Sequence, residues 1–62
     1  MVILEPGCFV RHPEQTDWGI GQVQSVIGHR ITVNFEHIGK TVIDGRSVAL
    51  DQVFPDDPGW GD

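Results

Sequence analysis

The chain has 62 residues, enough for one small domain. Such a domain removes only about 60% of its unfolded surface from water when it folds. Hydrophobic residues make up 39% and charged residues 21%, which fits a folded globular core rather than a disordered or membrane-embedded chain. The formal net charge is −5, and the single cysteine, Cys8, excludes an internal disulfide.

Acidic residues concentrate at the end of the chain. Asp56, Asp57 and Asp62 lie near the C-terminus, and without them six acids face four bases, which leaves −2 for residues 1–54. Nucleic-acid-binding proteins usually present clustered lysine and arginine side chains that displace counterions. We therefore do not expect duplex DNA as a partner.

Small size argues against catalysis. A domain of this length rarely holds a pocket deep enough to exclude water from a reacting centre, so we expect neither an enzyme nor a bound cofactor. The beginning of the sequence lacks the basic segment, the apolar stretch and the cleavage site of a signal peptide, and no apolar run approaches the ~20 residues of a transmembrane helix. We expect a cytoplasmic protein without a membrane partner.

Short strands dominate the predicted secondary structure. Eight glycines and four prolines divide the chain, and no segment shows the apolar repeat of a helix. Pro13 ends the first strand because it has no N–H to donate, and residues 28–29 form a two-residue hairpin turn. Apolar and polar residues alternate most clearly over residues 30–35. The predicted strands cover residues 8–12, 22–27, 30–35, 40–43 and 51–54.

These strands predict an all-β fold. About five short antiparallel strands cover their edges best as a small, strongly bent barrel. We place this domain at residues 1–54 and a flexible, disordered acidic tail at 55–62. Residues 47–50 are compatible with one helical or 3₁₀ turn, and residues 1–4 with either an edge strand or an exposed end. The predicted core contains Val10, Val23, Ile27, Ile31, Val33, Phe35, Ile43, Leu50 and Val53.

The motif Trp18-Gly19-Ile20-Gly21 stands at the mouth of the second strand. Glycines here permit a sharp bend and let the backbone pass close under a large ring, which favours a structural bulge. A phosphate-binding loop is disfavoured because the third glycine of Gly-x-Gly-x-x-Gly is absent and no helix follows. Trp18 is either a lid on the core or an exposed recognition residue.

Metal and nucleophile chemistry lack support in the sequence. Cys8 and His12 would share one face of a strand, but the chain has no Cys-x-x-Cys or His-x-x-x-His pair. Nucleophilic catalysis by Cys8 would need a neighbouring base and an oxyanion pocket that nothing indicates. We expect no catalytic and no metal-binding residues.

An ordered set of short motifs resembles a bacterial domain family. The chain is similar to the small Tudor-like (SH3-like barrel) domain of unknown function that occurs as short free-standing proteins and at the C-terminus of UvrD/PcrA-type DNA helicases. More distantly it resembles the RNA-polymerase-interacting domain of CarD-type regulators and of the transcription-repair coupling factor. The motifs are Gly7-x-x-Val10-Arg11-His12-Pro13, Trp18-Gly19-x-Gly21-x-Val23, Thr32-Val33-Asn34-Phe35, Gly39-Lys40-Thr41 and Ala49-Leu50.

The resemblance implies a non-enzymatic module that binds a protein. The β subunit of RNA polymerase is the leading partner, and a transcription or DNA-repair factor is the broader class. The implied mechanism is docking by edge-strand pairing and a few side-chain anchors. The loop over residues 13–17 is longer than in the helicase-type domains. The expected partner-binding residues are Arg11, His12, Trp18, Arg30 and Lys40.

Two other functions stay open. A small barrel can stack single-stranded nucleic acid on aromatic rings beside basic residues, although the acidic balance disfavours this alternative. Residues 1–4 could instead build an oligomer by pairing exposed edges. We expect a monomer.

Overall fold

The structure, a computed structural model, describes residues 4–55. These residues form one antiparallel sheet with the strand order β4-β3-β2-β1-β5. The predicted all-β antiparallel architecture of about five strands is confirmed. β4 and β5 are the two edges and do not pair with each other, so the sheet is not a closed barrel. The strands are β1 (Phe9–Arg11), β2 (Ile20–Ile27), β3 (Arg30–Phe35), β4 (Gly39–Asp44) and β5 (Asp51–Val53), and a 3₁₀ helix covers Thr16–Trp18.

One face of the sheet carries the core. Successive residues of a strand point to opposite faces, so the alternating apolar residues of β3 all reach the same side. Ile20 is also buried, although it belongs to the opposite face of β2. We call the following buried residues the core cluster: Val10, Val23, Ile31, Val33, Phe35, Ile43 and Leu50.

Ile27 was expected in the core and is 73% exposed. The register between β2 and β3 pairs Val23 with Val33 but then Ser25 with Thr32, so Gln24 is an extra residue in β2. A bulge of one residue reverses which side chains face inward beyond it. Val26 therefore packs against the core cluster, and Ile27 points away from it.

Two other expectations at the end of the domain need correction. Val53 is half-buried rather than buried. It is the cross-strand partner of Phe9 and does not belong to the core cluster. Residues 45–47 form a hydrogen-bonded turn, in which the N–H groups of Ser47 and Val48 both donate to the carbonyl oxygen of Asp44 at 3.0 Å, and residues 48–50 have no regular secondary structure. Leu50, after this turn, does enter the core as predicted.

The predictions for the two ends of the chain concern segments that lie mostly outside the described residues. The predicted tail covers residues 55–62, of which only Pro55 is described. Residues 1–3, part of the segment for which an edge strand and an exposed end both stay open, are not among the described residues. Leu4 is described, and it is half-buried against the core cluster.

Candidate functional site

Three of the five predicted site residues share one side of the sheet. Val10, Val33 and Ile43 point into the core, so the residues between them point to the opposite side. Cross-strand partners share a face in antiparallel pairing. We call this side the outer face; it carries Phe9, Arg11, Ile20, Gln22, Ser25, Ile27, Arg30, Thr32, Asn34, Lys40, Val42, Asp44, Asp51 and Val53.

The three bases of the outer face do not converge. Lys40 pairs with Asn34, four residues from Arg30 along β3, which is about 13 Å at roughly 3.3 Å per residue. Arg11 lies three strands from Lys40, about 14 Å at roughly 4.8 Å per strand. The surface therefore has separate charges rather than one basic cluster.

Each of the two arginines stands opposite an acid. Arg30 is the cross-strand partner of Asp44, and Arg11 is the partner of Asp51. Opposite charges at directly opposed sheet positions interact favourably and reduce the local potential. This pairing reduces the positive potential that the two arginines offer to a phosphate backbone.

His12 lies inside the domain. Its side chain is 6% exposed, and Nδ1 accepts hydrogen bonds from the backbone N–H groups of Glu14 and Gln15, each at 3.1 Å. A residue this buried offers almost no surface to a partner. Its observed contacts organise the loop after β1.

Trp18 is half-buried and packs against the core cluster. Its ring contacts His12 edge-on at a centroid distance of 4.8 Å and Phe35 at 5.2 Å. The backbone carbonyl of Trp18 accepts a hydrogen bond from His37 N–H at 3.1 Å. Part of the ring therefore packs as a lid on the core, and its role as a recognition residue stays a prediction.

Steric contacts explain why glycine occupies the two positions Gly19 and Gly21 after Trp18. Gly19 has φ = +80°, and a Cβ there would lie 2.6 Å from Cδ2 of His37. A Cβ on Gly21 would lie 2.4 Å from Cγ1 of Val33 and 2.7 Å from Cδ1 of Phe35. The backbone therefore passes close under Phe35, while the sheet irregularity itself lies at Gln24.

Two open depressions line the sheet. The larger, about 610 Å³, lies at one end beside the β2–β3 turn, and its apolar lining includes Leu4, Val26, Ile31, Val48 and Leu50. The smaller, about 360 Å³, lies beside the outer face and includes Phe9, Ile20, Gln22, Asn34 and Glu36. Ile20 was not among the predicted core or site residues; the signal that could have found it is an apolar residue held between two glycines.

The described residues hold no group of three or more His, Cys, Asp or Glu side chains that could bind a metal ion. Cys8 is half-buried beside the core cluster, and its Sγ accepts a hydrogen bond from Nε2 of Gln52 at 3.6 Å. Between Leu4 and Pro55 there is also no helix with the length and hydrophobicity needed to span a bilayer.

The family comparison covers the same elements. A model of a protein family of unknown function (DUF3553) matches residues 4–53, from the segment before β1 to the end of β5. The chain belongs to this family. DUF3553 has no assigned activity, so membership names no substrate or partner. The search of curated proteins and the search of solved structures each found no match.

Proposed function

We propose that this DUF3553 domain is a non-enzymatic, protein-binding module of the cytoplasm. Its partner is RNA polymerase, through the β subunit, or another transcription or DNA-repair factor. The partner class rests on the resemblance of the motifs to the helicase C-terminal and CarD-type domains. The binding surface is the outer face.

The composition of the outer face is the observation that carries the proposal. Arginines stand opposite acids, and the amides of Gln22 and Asn34 lie between exposed or half-buried apolar side chains such as Phe9. Protein interfaces have this mixture of hydrogen-bonding and apolar groups, and interleaved charges favour a complementary protein over a uniform polyanion. Single-stranded nucleic acid is the alternative partner, and the experiment must distinguish it from a protein partner.

Chemical-shift mapping tests the proposal. The ¹⁵N-labelled domain is titrated with a fragment of the RNA polymerase β subunit, and in parallel with a single-stranded oligonucleotide. We expect amide shifts on the outer face with the protein fragment alone. Shifts with the oligonucleotide alone, weakening steeply as salt rises, would replace this proposal with the nucleic-acid function.

Charge variants locate the surface. We expect Arg30→Ala to weaken the complex about three- to tenfold, because an exposed charge at an interface contributes on the order of 1 kcal/mol. Gln15→Glu is the matched control, since it makes the same change in net charge in the exposed loop after β1 rather than on the outer face. Equal weakening by both variants would show a general charge effect and contradict this placement.

A further inference from the structure

The β4 strand has one open edge. All six of its residues are paired with β3 on one side, and no strand within residues 4–55 pairs with the other side. Val42, at the middle of the strand, is 60% exposed. An edge of this length, with a β-branched side chain exposed on it, is a template for a further strand.

The side chains along this edge are complementary to those of the same edge in a second copy of the chain. If a second copy of β4 runs antiparallel with a two-fold axis at Val42, Lys40 of each copy lies opposite Asp44 of the other. Cross-strand partners share a face, so both ion pairs and the Val42 contact form on the outer face. Thr41 lies opposite Ile43 on the core side. Such an interface uses one patch on both copies, as a two-fold dimer requires.

The charges select this register over its neighbours. Moving the axis by one residue, to Thr41, puts Lys40 opposite Val42, and moving it to Lys40 puts two lysines opposite each other. A parallel, in-register pair also sets lysine against lysine and aspartate against aspartate. Like charges at directly opposed positions are destabilising. Only the axis at Val42 pairs both charges with opposite ones.

The turn after β4 orients the carboxylate that this pairing needs. Oδ1 of Asp44 accepts hydrogen bonds from the backbone N–H of Arg46 at 2.9 Å and from its Nε at 3.4 Å. Both bonds end on Oδ1, so a lysine ammonium group can approach Oδ2. The side chain of Asp44 is 47% exposed and accessible to a second copy.

We propose that this protein forms a weak two-fold dimer through antiparallel pairing of β4 with β4, which extends the sheet to ten strands. The contact of one short strand edge is small, so we expect a dissociation constant on the order of 10⁻⁴ M. This inference does not depend on the proposed partner protein. It predicts a dimer where the sequence predicted a monomer. A partner strand that paired with β4 would compete with the second copy.

Sedimentation equilibrium from about 10 μM to 1 mM tests the dimer, with no other protein present. We expect the mass to rise from monomer to dimer and the amide shifts of β4 to move with concentration. In a mixture of labelled and unlabelled protein, isotope-filtered NOEs should join Lys40 of one copy to Asp44 of the other. A monomeric mass throughout, or a dimer whose intermolecular NOEs lie elsewhere, overturns the proposal.

Charge variants supply the specific control. We expect Lys40→Gln to weaken association about threefold or more and Lys40→Asp about tenfold or more, since the latter sets carboxylates opposite each other. Gln24→Glu changes the net charge by the same amount as Lys40→Gln, lies on β2 and should leave association unchanged. The double variant Lys40→Asp with Asp44→Lys should restore dimerisation, after its fold has been checked by NMR. A folded double variant that stays monomeric contradicts the pairing.

Discussion

The imidazole of His12 fixes the loop between β1 and β2. Nδ1 accepts two backbone hydrogen bonds, so the neutral ring carries its proton on Nε2. The ring then supports Trp18, which in turn contacts Phe35. One side chain thus joins a polar loop to the core.

Replacing His12 tests this role. We expect His12→Ala to lower the free energy of unfolding by about 1–3 kcal/mol, because two backbone N–H groups lose their acceptor. His12→Asn should recover part of this loss, since its amide oxygen can accept in the same place. Urea unfolding measures both variants. Equal stability of His12→Ala and the wild type would show that water replaces the acceptor at no cost.

Gly21 is required because the neighbouring side chains leave no room for a Cβ atom at this position. We expect Gly21→Ala to cost about 1–3 kcal/mol of unfolding free energy, because the added methyl group collides with Val33 and Phe35 in a filled core. The control is Gly45→Ala, whose new Cβ comes closest to Cδ1 at the tip of the Ile31 side chain, at 3.1 Å, and reaches backbone only at 3.5 Å, an ordinary van der Waals distance to the carbonyl oxygen of His29. If the two variants are equally stable in urea unfolding, the close approach at Gly21 does not constrain the sequence.

At the scale of elements, the bulge in β2 decides which side chains reach the core. Ile27 and Ile31 flank the same hairpin turn, yet the first is 73% exposed and the second 8%. The extra residue at Gln24 shifts the alternation, which carries Val26 inward and Ile27 outward. Composition alone would treat the two isoleucines alike.

One methyl deletion at each isoleucine tests this shift. We expect Ile31→Val to cost about 0.5–1.5 kcal/mol, as buried deletions of this kind do, and Ile27→Val to have no measurable effect. The two variants carry the same chemical change, so each serves as the control of the other. A larger loss at Ile27, measured by thermal unfolding, would place the bulge elsewhere.

The hydrogen bonds in the turn after β4 make the stability of the fold depend on pH. The hydrogen bond from Arg46 N–H, and then the one from its side chain, lower the pKa of Asp44 below its ordinary value of 3.8. A lowered folded-state pKa stabilises the fold above the unfolded-state pKa, and this contribution is lost as the pH falls through the folded-state pKa.

The variant Asp44→Asn isolates that contribution. Asparagine keeps an acceptor for the turn but removes the titration. We therefore expect the stability advantage of the wild type over Asp44→Asn to be constant above about pH 5 and to shrink below the ordinary aspartate range. Urea unfolding at a series of pH values measures the difference. An advantage that stays constant down to the lowest pH would mean that the carboxylate does not stabilise the turn.

At the scale of the whole molecule, the core is closed by a connector as well as by strands. β4 and β5 remain separate edges, and Leu50, between them, is 8% exposed within the core cluster. A single core in a domain of this size rarely supplies more than about 3–5 kcal/mol. Each large core side chain therefore carries a substantial share of the stability.

Truncating the connector tests this dependence. We expect Leu50→Ala to cost about 2–5 kcal/mol and to leave much of the protein unfolded at 25 °C. Ile38→Ala is the control, because Ile38 is 45% exposed in the β3–β4 turn. Circular dichroism melting curves distinguish the two. A cooperative melt of Leu50→Ala near the wild-type temperature would show that the sheet alone closes the core.

The sequence by itself determined the strand-rich architecture and most of the core. Alternation over β3, the hairpin glycine and the breaks at proline act locally, so residues near in sequence were enough to predict them. The glycines after Trp18 were also predicted to be structural, because a close backbone approach is a property that the residue type reveals.

Only the tertiary structure decided which site residues share a surface. The register between strands places Arg11, Arg30 and Lys40 on the outer face, whereas His12 is buried and Trp18 is half-buried against the core cluster. A one-residue bulge reverses a face without a clear signal in composition, which is why Ile27 was misplaced. Pairings between distant segments depend on contacts that no local pattern records.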